Sequence, residues 1–256
     1  MTFNTIFVEN NDAVALITLK REDAMNAVCA AMAAELTRAL KTLDDDDAIR
    51  CVVLTGSPSF FAAGADMTEF DGEHKAEIRK IYAELARAFT EMRKPVVAGV
   101  AGYAFGIGFE LALLSDIVIS AENARFGFPE ISLGVLTQMG GAAILAARIG
   151  KPRAMEMVLT GRHLSAKEAL DAGIVSRMVD SSLIKEETLQ TAARIASMSA
   201  AGVRLAKQAV LAGAKEADCL KNQESLAALS LLSDDAAEAM NALKEQRAPN
   251  FSHKDV

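Results

Sequence analysis

Short apolar runs rich in β-branched residues alternate along this chain with longer stretches of helical spacing, and this alternation restricts the fold more than any other feature. The runs are Val14 to Leu19, Cys51 to Leu54, Val96 to Val100, Ile117 to Ile119 and Ile174 to Val179. Between the first two runs, apolar residues recur every three or four positions from Val28 to Leu43, as on the buried face of a helix. Alternating strands and helices are typical of the α/β class, which is predicted here.

The pattern changes after about residue 181, where alanine, leucine and charged residues at helical spacing replace the strand-like runs. Helices are predicted over residues 183–198, 201–214 and 220–246. This composition shift marks the beginning of a helical C-terminal region.

Composition and charge argue against several classes of protein. The 256 residues are 51% hydrophobic, which is enough to bury a large core. The net charge of −7 and the isoelectric point near 5.1 disfavour nucleic acid and anionic membrane surfaces as partners. No apolar run approaches the ~20 residues of a membrane helix, and the first residues lack the basic and apolar segments of a signal peptide. A cytoplasmic location is expected.

Cysteines and histidines are too scattered to suggest a disulfide framework or a metal site. They are Cys29, Cys51, Cys219, His74, His163 and His253. The cysteines form no Cys-x-x-Cys pair, and the histidines do not have the spacing of metal ligands. We predict reduced thiols and no bound metal.

Two glycine-bearing segments follow predicted strands and offer main-chain amides to a ligand. Gly64-Ala65-Asp66 lies in a loop beyond the run that ends at Leu54, where small residues admit a ligand to the backbone. Gly106-Ile107-Gly108 leads from a strand into a helix, whose first N–H groups would face a ligand. A dinucleotide fingerprint is excluded, because Leu111 stands where its third glycine belongs.

Two glutamates stand next to these turns. Glu110 lies in the apolar run Phe109 to Leu114, where an ionised carboxylate is costly unless it is paired or hydrogen-bonded. Glu130 follows Pro129 in a second turn. From the residues alone, both an acid/base role and a structural role stay open. In the structural role, Glu110 bonds to nearby backbone amides and Glu130 caps its turn.

Taken together, the segments Phe61 to Met67, Gly102 to Glu110 and Phe126 to Ile131 resemble the enoyl-CoA hydratase/isomerase (crotonase) superfamily, most closely its enoyl-CoA hydratases. The resemblance extends over nearly the whole chain. It implies a crotonase-like spiral of repeated β-β-α units over residues 1–195, which carries both glycine-bearing loops and both glutamates, and a helical C-terminal region over residues 196–256 that serves oligomerisation and covers the active site. It also implies a hydro-lyase of fatty acid metabolism, which adds water across the double bond of a 2-trans-enoyl-CoA to give a 3-hydroxyacyl-CoA.

The resemblance further implies roles for individual residues. Glu110 and Glu130 match the catalytic glutamates, and the backbone N–H groups of Ala65 and Ile107 match the oxyanion hole. The residues expected to contact substrate or CoA are Ala24, Ala62, Ala65, Asp66, Met67, Thr68 and Ile107. CoA would arrive as part of the thioester substrate, without a separate cofactor. The implied assembly is a homotrimer, or a homohexamer built as a dimer of trimers.

The chain also departs from the hydratase pattern. Ile107 stands where these enzymes commonly have the middle of three glycines, and Thr137 and Gln138 replace the usual proline and one glycine beyond Glu130. Two alternatives therefore stay open. One is an enoyl-CoA isomerase or another CoA-thioester enzyme of the superfamily. The other is a non-catalytic binding or assembly protein in which Ile107 has closed the site.

Overall fold

The structure is a computed structural model that describes residues 2–70, 75–212 and 234–252. The strands are β1 (Ile6–Asn11), β2 (Val14–Leu19), β3 (Cys51–Thr55), β4 (Phe60–Ala62), β5 (Val96–Val100), β6 (Tyr103–Phe105), β7 (Ile117–Ala121), β8 (Arg125–Gly127), β9 (Leu164–Ser165) and β10 (Arg177–Val179). The α-helices are α1 (Ala30–Asp45), α2 (Lys75–Glu91), α3 (Ile107–Leu114), α4 (Gly141–Ile149), α5 (Lys151–Thr160), α6 (Ala166–Asp171), α7 (Ile184–Ala196), α8 (Ala200–Ala212) and α9 (Asp234–Lys244). Segments of 3-10 helix are Glu22–Ala24, Met67–Phe70 and Pro129–Leu133.

The strands form two sheets. The larger sheet has the order β1-β2-β3-β5-β7-β10 and is parallel except for the β1/β2 pair. The smaller sheet has the order β4-β6-β8-β9 and is parallel except for the β8/β9 pair. In β3-β4-α2 and again in β5-β6-α3, the chain places one strand in each sheet before it forms a helix. This repeat confirms the predicted α/β class and its β-β-α units.

The five predicted runs all contribute strands to the larger sheet. Every residue of β3 and β5 is buried, because parallel strands of this kind are covered on both faces. The prediction was wrong for residues 174–176. There the N–H groups of Ile174 and Val175 donate to the carbonyl of Ala169 and close the end of α6, so β10 begins at Arg177.

Helix α2 supports the loop Gly64-Ala65-Asp66, which we call the first donor loop. Tyr82 of α2 is fully buried, and its hydroxyl donates a 2.7 Å hydrogen bond to the carbonyl of Val28. Val28 in turn forms a parallel β-bridge with Ala65. The position of Ala65 therefore depends on the packing of α2 against the chain that leads into α1.

Helix α7 packs on the opposite face of the larger sheet. Its buried residues Ile184, Ala192 and Ala196 form one apolar cluster with residues of the sheet strands. At the centre of this contact, Gly99 of β5 lies directly beneath Thr188. A methyl group on Gly99 would stand 2.5 Å from the Thr188 Oγ1, so glycine is what allows the helix to approach the sheet this closely.

Helix α8 is tied to the core by a largely buried ion pair. Lys207 Nζ lies 2.7 Å from Asp116 Oδ2 and donates a 3.0 Å hydrogen bond to the carbonyl of Lys94. The same Asp116 oxygen accepts a hydrogen bond from the N–H of Val96, at the start of β5. Helix α8 and strand β5 thus share the carboxylate of Asp116. Strand β5 leads towards the segment Gly106-Ile107-Gly108, which we call the second donor loop.

The predicted helices over residues 183–198 and 201–214 correspond to α7 and α8, and the last helix is confirmed over Asp234–Lys244. Residues 213–233 of these predictions lie outside the described residues. Within the described part of the chain, no helix is long and apolar enough to cross a membrane.

Replacing Gly99 with alanine should lower the free energy of unfolding by about 1–3 kcal/mol, because the new methyl group clashes with Thr188 in a packed interface. Urea denaturation checks this value. A Gly99→Ala/Thr188→Ala double variant removes the clashing hydroxyl, so it should lose less stability than the two single changes added together. Strictly additive losses would contradict the proposed contact.

Candidate active site

The second donor loop depends on a backbone conformation that favours glycine. Gly106, between β6 and α3, has φ of 51° and ψ of −122°, a region that L side chains rarely adopt. Its turn starts α3 at Ile107, whose N–H therefore has no partner in the preceding helical turn. The Ile107 side chain is 2% exposed and packs in the main hydrophobic core. The isoleucine that departs from the glycine pattern therefore packs as a core residue and presents its amide.

The first donor loop is held by hydrogen bonds on both sides of Ala65. The N–H of Val28 donates to the carbonyl of Gly64 at 2.7 Å, and the N–H of Asp66 donates to the carbonyl of Val28 at 3.1 Å. The intervening N–H of Ala65 takes no part in this bridge. Neither it nor the N–H of Ile107 donates to another group within the described residues.

The two loops meet at Gly106. A methyl group on Gly106 would lie 3.4 Å from the Cα of Gly64 and 3.2 Å from Glu130 Oε2. Both donor residues and Glu130 line one cavity of about 190 Å³. The described residues that line it are Ala63, Gly64, Ala65, Met67, Gly106, Ile107, Pro129, Glu130, Ser132, Leu133, Val135, Leu136 and Gln138. The two residues predicted to form an oxyanion hole, Ala65 and Ile107, therefore border the same cavity as Glu130.

Glu110 is fully buried in the first turn of α3, and backbone amides replace the water that its carboxylate has lost. Its Oε1 accepts hydrogen bonds of 2.7 Å from the N–H groups of Met139 and Gly141, and its Oε2 accepts one of 3.0 Å from Gln138. Burial raises the pKa of Glu110, and these three N–H donors oppose the rise because they favour the ionised form. Gly141 is needed here, since a methyl group would lie 2.6 Å from the Glu110 Cγ.

Glu130 has a different environment, on the 3-10 helix Pro129–Leu133. Its Oε2 is buried and accepts no hydrogen bond from the described residues. Burial raises the pKa of Glu130 to about 7; a bond from its own N–H opposes the rise, and the negative charge of Glu110 adds to it. Glu130 can therefore hold a proton near neutral pH, whereas Glu110 has the donors that stabilise a carboxylate. The two glutamates interact electrostatically, so they titrate as a coupled pair.

Asp66 and Thr68 brace the first donor loop. Asp66 Oδ2 lies 2.8 Å from the Arg21 guanidinium, and Oδ1 accepts bonds from both the hydroxyl and the N–H of Thr68. The Thr68 hydroxyl bond is the main cause of a lowered Asp66 pKa, and the Arg21 bond adds to it. Glu69 extends this brace, because its carboxylate accepts a 2.7 Å hydrogen bond from the first N–H of α1, at Ala30.

The other predicted contact residues differ in position. Met67 is 40% exposed and lines the cavity. Ala24 is partly buried in the 3-10 helix next to Arg21 and does not line the cavity. Ala62 is fully buried in β4, where a methyl group on Gly108 would lie 2.8 Å from its Cβ. Ala62 therefore packs behind the cavity wall, and the neighbouring Ala63 lines it instead.

Sequence reasoning missed the residues that complete the site. Gln138, Met139 and Gly141 hold Glu110 through backbone N–H groups, which leave no signature in residue type. Leu133 and Leu136 form apolar cavity wall, although they are 63% and 60% exposed in this chain. Such exposed leucines are a usable signal, because apolar side chains that line a cleft are available to a ligand.

Comparison with known proteins agrees with this geometry. Residues 9–254 match the family described as Enoyl-CoA hydratase/isomerase. The chain is 41% identical to a probable enoyl-CoA hydratase of Mycobacterium tuberculosis, over 99% of this chain and 100% of the relative. It is 37% identical to the 2,3-dehydroadipyl-CoA hydratase of Escherichia coli, over 96% and 98%.

The solved structures agree as well. A solved structure of an enoyl-CoA hydratase subunit from Geobacillus kaustophilus superimposes with a TM-score of 0.93 at 37% identity and covers 98% of this chain and 99% of its own. The repeated β-β-α units, the two donor loops and these full-length matches lead to one conclusion. The chain belongs to the enoyl-CoA hydratase/isomerase family and has the crotonase fold.

Proposed function

We propose that this protein is an enoyl-CoA hydratase, which adds water across the double bond of a 2-trans-enoyl-CoA and gives a 3-hydroxyacyl-CoA. One observation carries the proposal: Glu130 Oε2, a buried carboxyl oxygen without a hydrogen bond from the described residues, lies where the two donor loops meet. That oxygen is available to a substrate or a water molecule. The relatives named as enoyl-CoA hydratases, at 37–41% identity over nearly the full chain, support the same reaction.

In the proposed mechanism, the N–H groups of Ala65 and Ile107 hold the thioester oxygen and draw electron density from C3. Glu110, ionised, takes a proton from water as the water oxygen bonds to C3. Negative charge then develops on the thioester oxygen, where the two N–H donors stabilise it most strongly. Glu130, protonated, gives its proton to C2, and the proton on Glu110 returns through solvent to restore the pair.

The two alternatives are less well supported. Moving a double bond from C3 to C2 requires one group that carries a proton between two carbons, so it does not account for both glutamates. A site closed by Ile107 disagrees with the cavity of about 190 Å³ and with the burial of the Ile107 side chain in the core.

Two expectations stay predictions: a cytoplasmic location, which rests on the sequence pattern, and a homotrimer or dimer of trimers, which rests on the resemblance. The proposal also takes CoA as part of the substrate, without a separate cofactor. Sedimentation equilibrium of the purified protein distinguishes three copies from six. A monomer at micromolar concentration would contradict the expected assembly.

Glu110→Gln and Glu130→Gln should each lower kcat for hydration of crotonyl-CoA by about 100-fold or more, because each removes a proton-transfer group. Loss of the conjugated enoyl-thioester absorbance measures the rate. Glu122→Gln, at an exposed position, is the matched control and should keep full activity. Unchanged hydration in the double variant would reject the mechanism, and conversion of a 3-enoyl-CoA without water uptake would favour the isomerase.

The pH dependence follows from the proton on Glu130. Because the pKa of Glu130 is raised to about 7, the acid form is present below that pH and is lost above it. We expect kcat/KM for hydration to fall as pH rises through about 7, by roughly tenfold per pH unit on the alkaline limb. A rate profile from pH 5.5 to about 9 measures this limb. A profile that stays flat to the alkaline end would contradict an acid role for Glu130.

The same raised pKa predicts a stability effect. A carboxyl whose pKa rises from 4.5 to about 7 on folding binds more protons in the folded state between these values, so stability falls as pH rises through that window. Glu130→Gln should therefore stabilise the protein above pH 7, by roughly 1–2 kcal/mol once solvent screening of this partly exposed carboxyl is allowed for, and by little below pH 4.5. Urea denaturation at both ends of the window tests this. An equal gain in Glu122→Gln would show that the effect is not specific to the site.

A further inference from the structure

A second cavity adjoins the active-site cavity and has a different chemical character. It has a volume of about 780 Å³ and is lined by Ala76, Arg79, Lys80 and Ala83 of α2 and by residues 134–138. The small alanines leave room beside α2, and the opposite wall is the loop that follows Glu130. No carboxylate is among the described residues that line it.

The two cavities share one wall. Val135, Leu136 and Gln138 line both of them. The Gln138 side chain bends back along this wall, because its Nε2 donates a 2.5 Å hydrogen bond to the carbonyl of Leu136. The segment from Val135 to Gln138 therefore borders both the active-site cavity and the second cavity.

The charge of this cavity has no counterion in the described part of the chain. Arg79 and Lys80 are exposed, and neither forms an ion pair or a side-chain hydrogen bond with a described residue. Glu84 lies one turn beyond Lys80 on α2, yet the two form no ion pair and Glu84 does not line the cavity. In a chain with a net charge of −7, two adjacent cations without a partner among the described residues, in a cavity next to the active-site cavity, favour an anionic ligand group.

We propose that the second cavity receives the far end of the acyl group, and that Arg79 and Lys80 select acyl chains that end in a carboxylate. This specificity rests on the proposed hydratase function and adds the substrate class to it. Family membership alone leaves the acyl group open. Arginine and lysine side chains both bind carboxylates through charge-assisted hydrogen bonds, and they would hold the far end of the chain while C2 and C3 lie at the glutamates.

The phosphates of CoA are a second source of the same anionic chemistry. If they are what the two cations bind, every CoA thioester benefits equally, whatever its acyl group. If the acyl carboxylate is bound, only the substrates that carry it benefit. Substrates matched in length distinguish these sources.

The test compares the Arg79→Gln/Lys80→Gln variant with the unaltered protein on three thioesters: crotonyl-CoA, 2-hexenoyl-CoA and 2-hexenedioyl-CoA. The last two have the same chain length and differ in the terminal carboxylate. We expect kcat/KM to fall about tenfold for 2-hexenedioyl-CoA and to change less than about twofold for the other two. Arg87→Gln, at an exposed position on the same helix, is the control and should change none of the three.

An equal fall for all three thioesters would assign the cations to the CoA phosphates and overturn the inference. No change for 2-hexenedioyl-CoA would overturn it as well.

A binding measurement separates this failure from failure of the hydratase proposal. Calorimetry with the saturated adipyl-CoA and hexanoyl-CoA requires no turnover, and we expect the variant to lose affinity for adipyl-CoA alone. A protein that hydrates nothing but keeps this difference would refute hydration and support the acyl-carboxylate site. Active hydration with equal binding of adipyl-CoA and hexanoyl-CoA would support the hydratase proposal and refute the acyl-carboxylate site.

Discussion

The site depends on the solvation of one buried carboxylate by the backbone. Glu110 is fully buried, and without donors its ionised form would cost several kcal/mol. The N–H groups of Gln138, Met139 and Gly141 provide those donors. They can do so only because α4 begins immediately beneath Glu110, which requires a residue without a side chain at Gly141. The loop from Glu130 to α4 is thereby fixed relative to α3, and with it the wall of the cavity.

A second constraint is that the predicted oxyanion hole consists of main-chain groups. Its two loops approach each other closely at Gly106 and Gly64, and the supports beneath them are a tyrosine hydroxyl, a β-bridge and a carboxylate–guanidinium pair. A side chain beside a backbone N–H can vary without loss of that donor. Isoleucine in place of glycine at position 107 is compatible with this role, because the Ile107 side chain packs into the core and the residue borders the cavity.

The sequence predicted the larger sheet well, because the strands of a buried parallel sheet are continuous apolar runs that leave a strong pattern. It did not predict the smaller sheet, whose strands β4, β6 and β8 have three residues each and are too short to establish a period. The roles of both glutamates and both donor amides came from the resemblance and stay predictions. The different hydrogen-bond environments of the glutamates could not be predicted, because Glu110 is held by amides that lie 28 to 31 residues away in sequence.

The shared carboxylate of Asp116 bears on how the chain can be divided. Its Oδ2 holds both the ammonium group of Lys207 on α8 and the N–H of Val96 at the start of β5. A chain that ended at residue 195 would lack Lys207. The Asp116 carboxylate would then have one donor fewer at the start of β5. The ammonium group of Lys207 thus helps to stabilise the carboxylate that holds the start of β5, the strand that leads towards Gly106. If relatives exchanged their C-terminal regions during evolution, the new region would need a cation at the position of Lys207, or Asp116 would have to change as well.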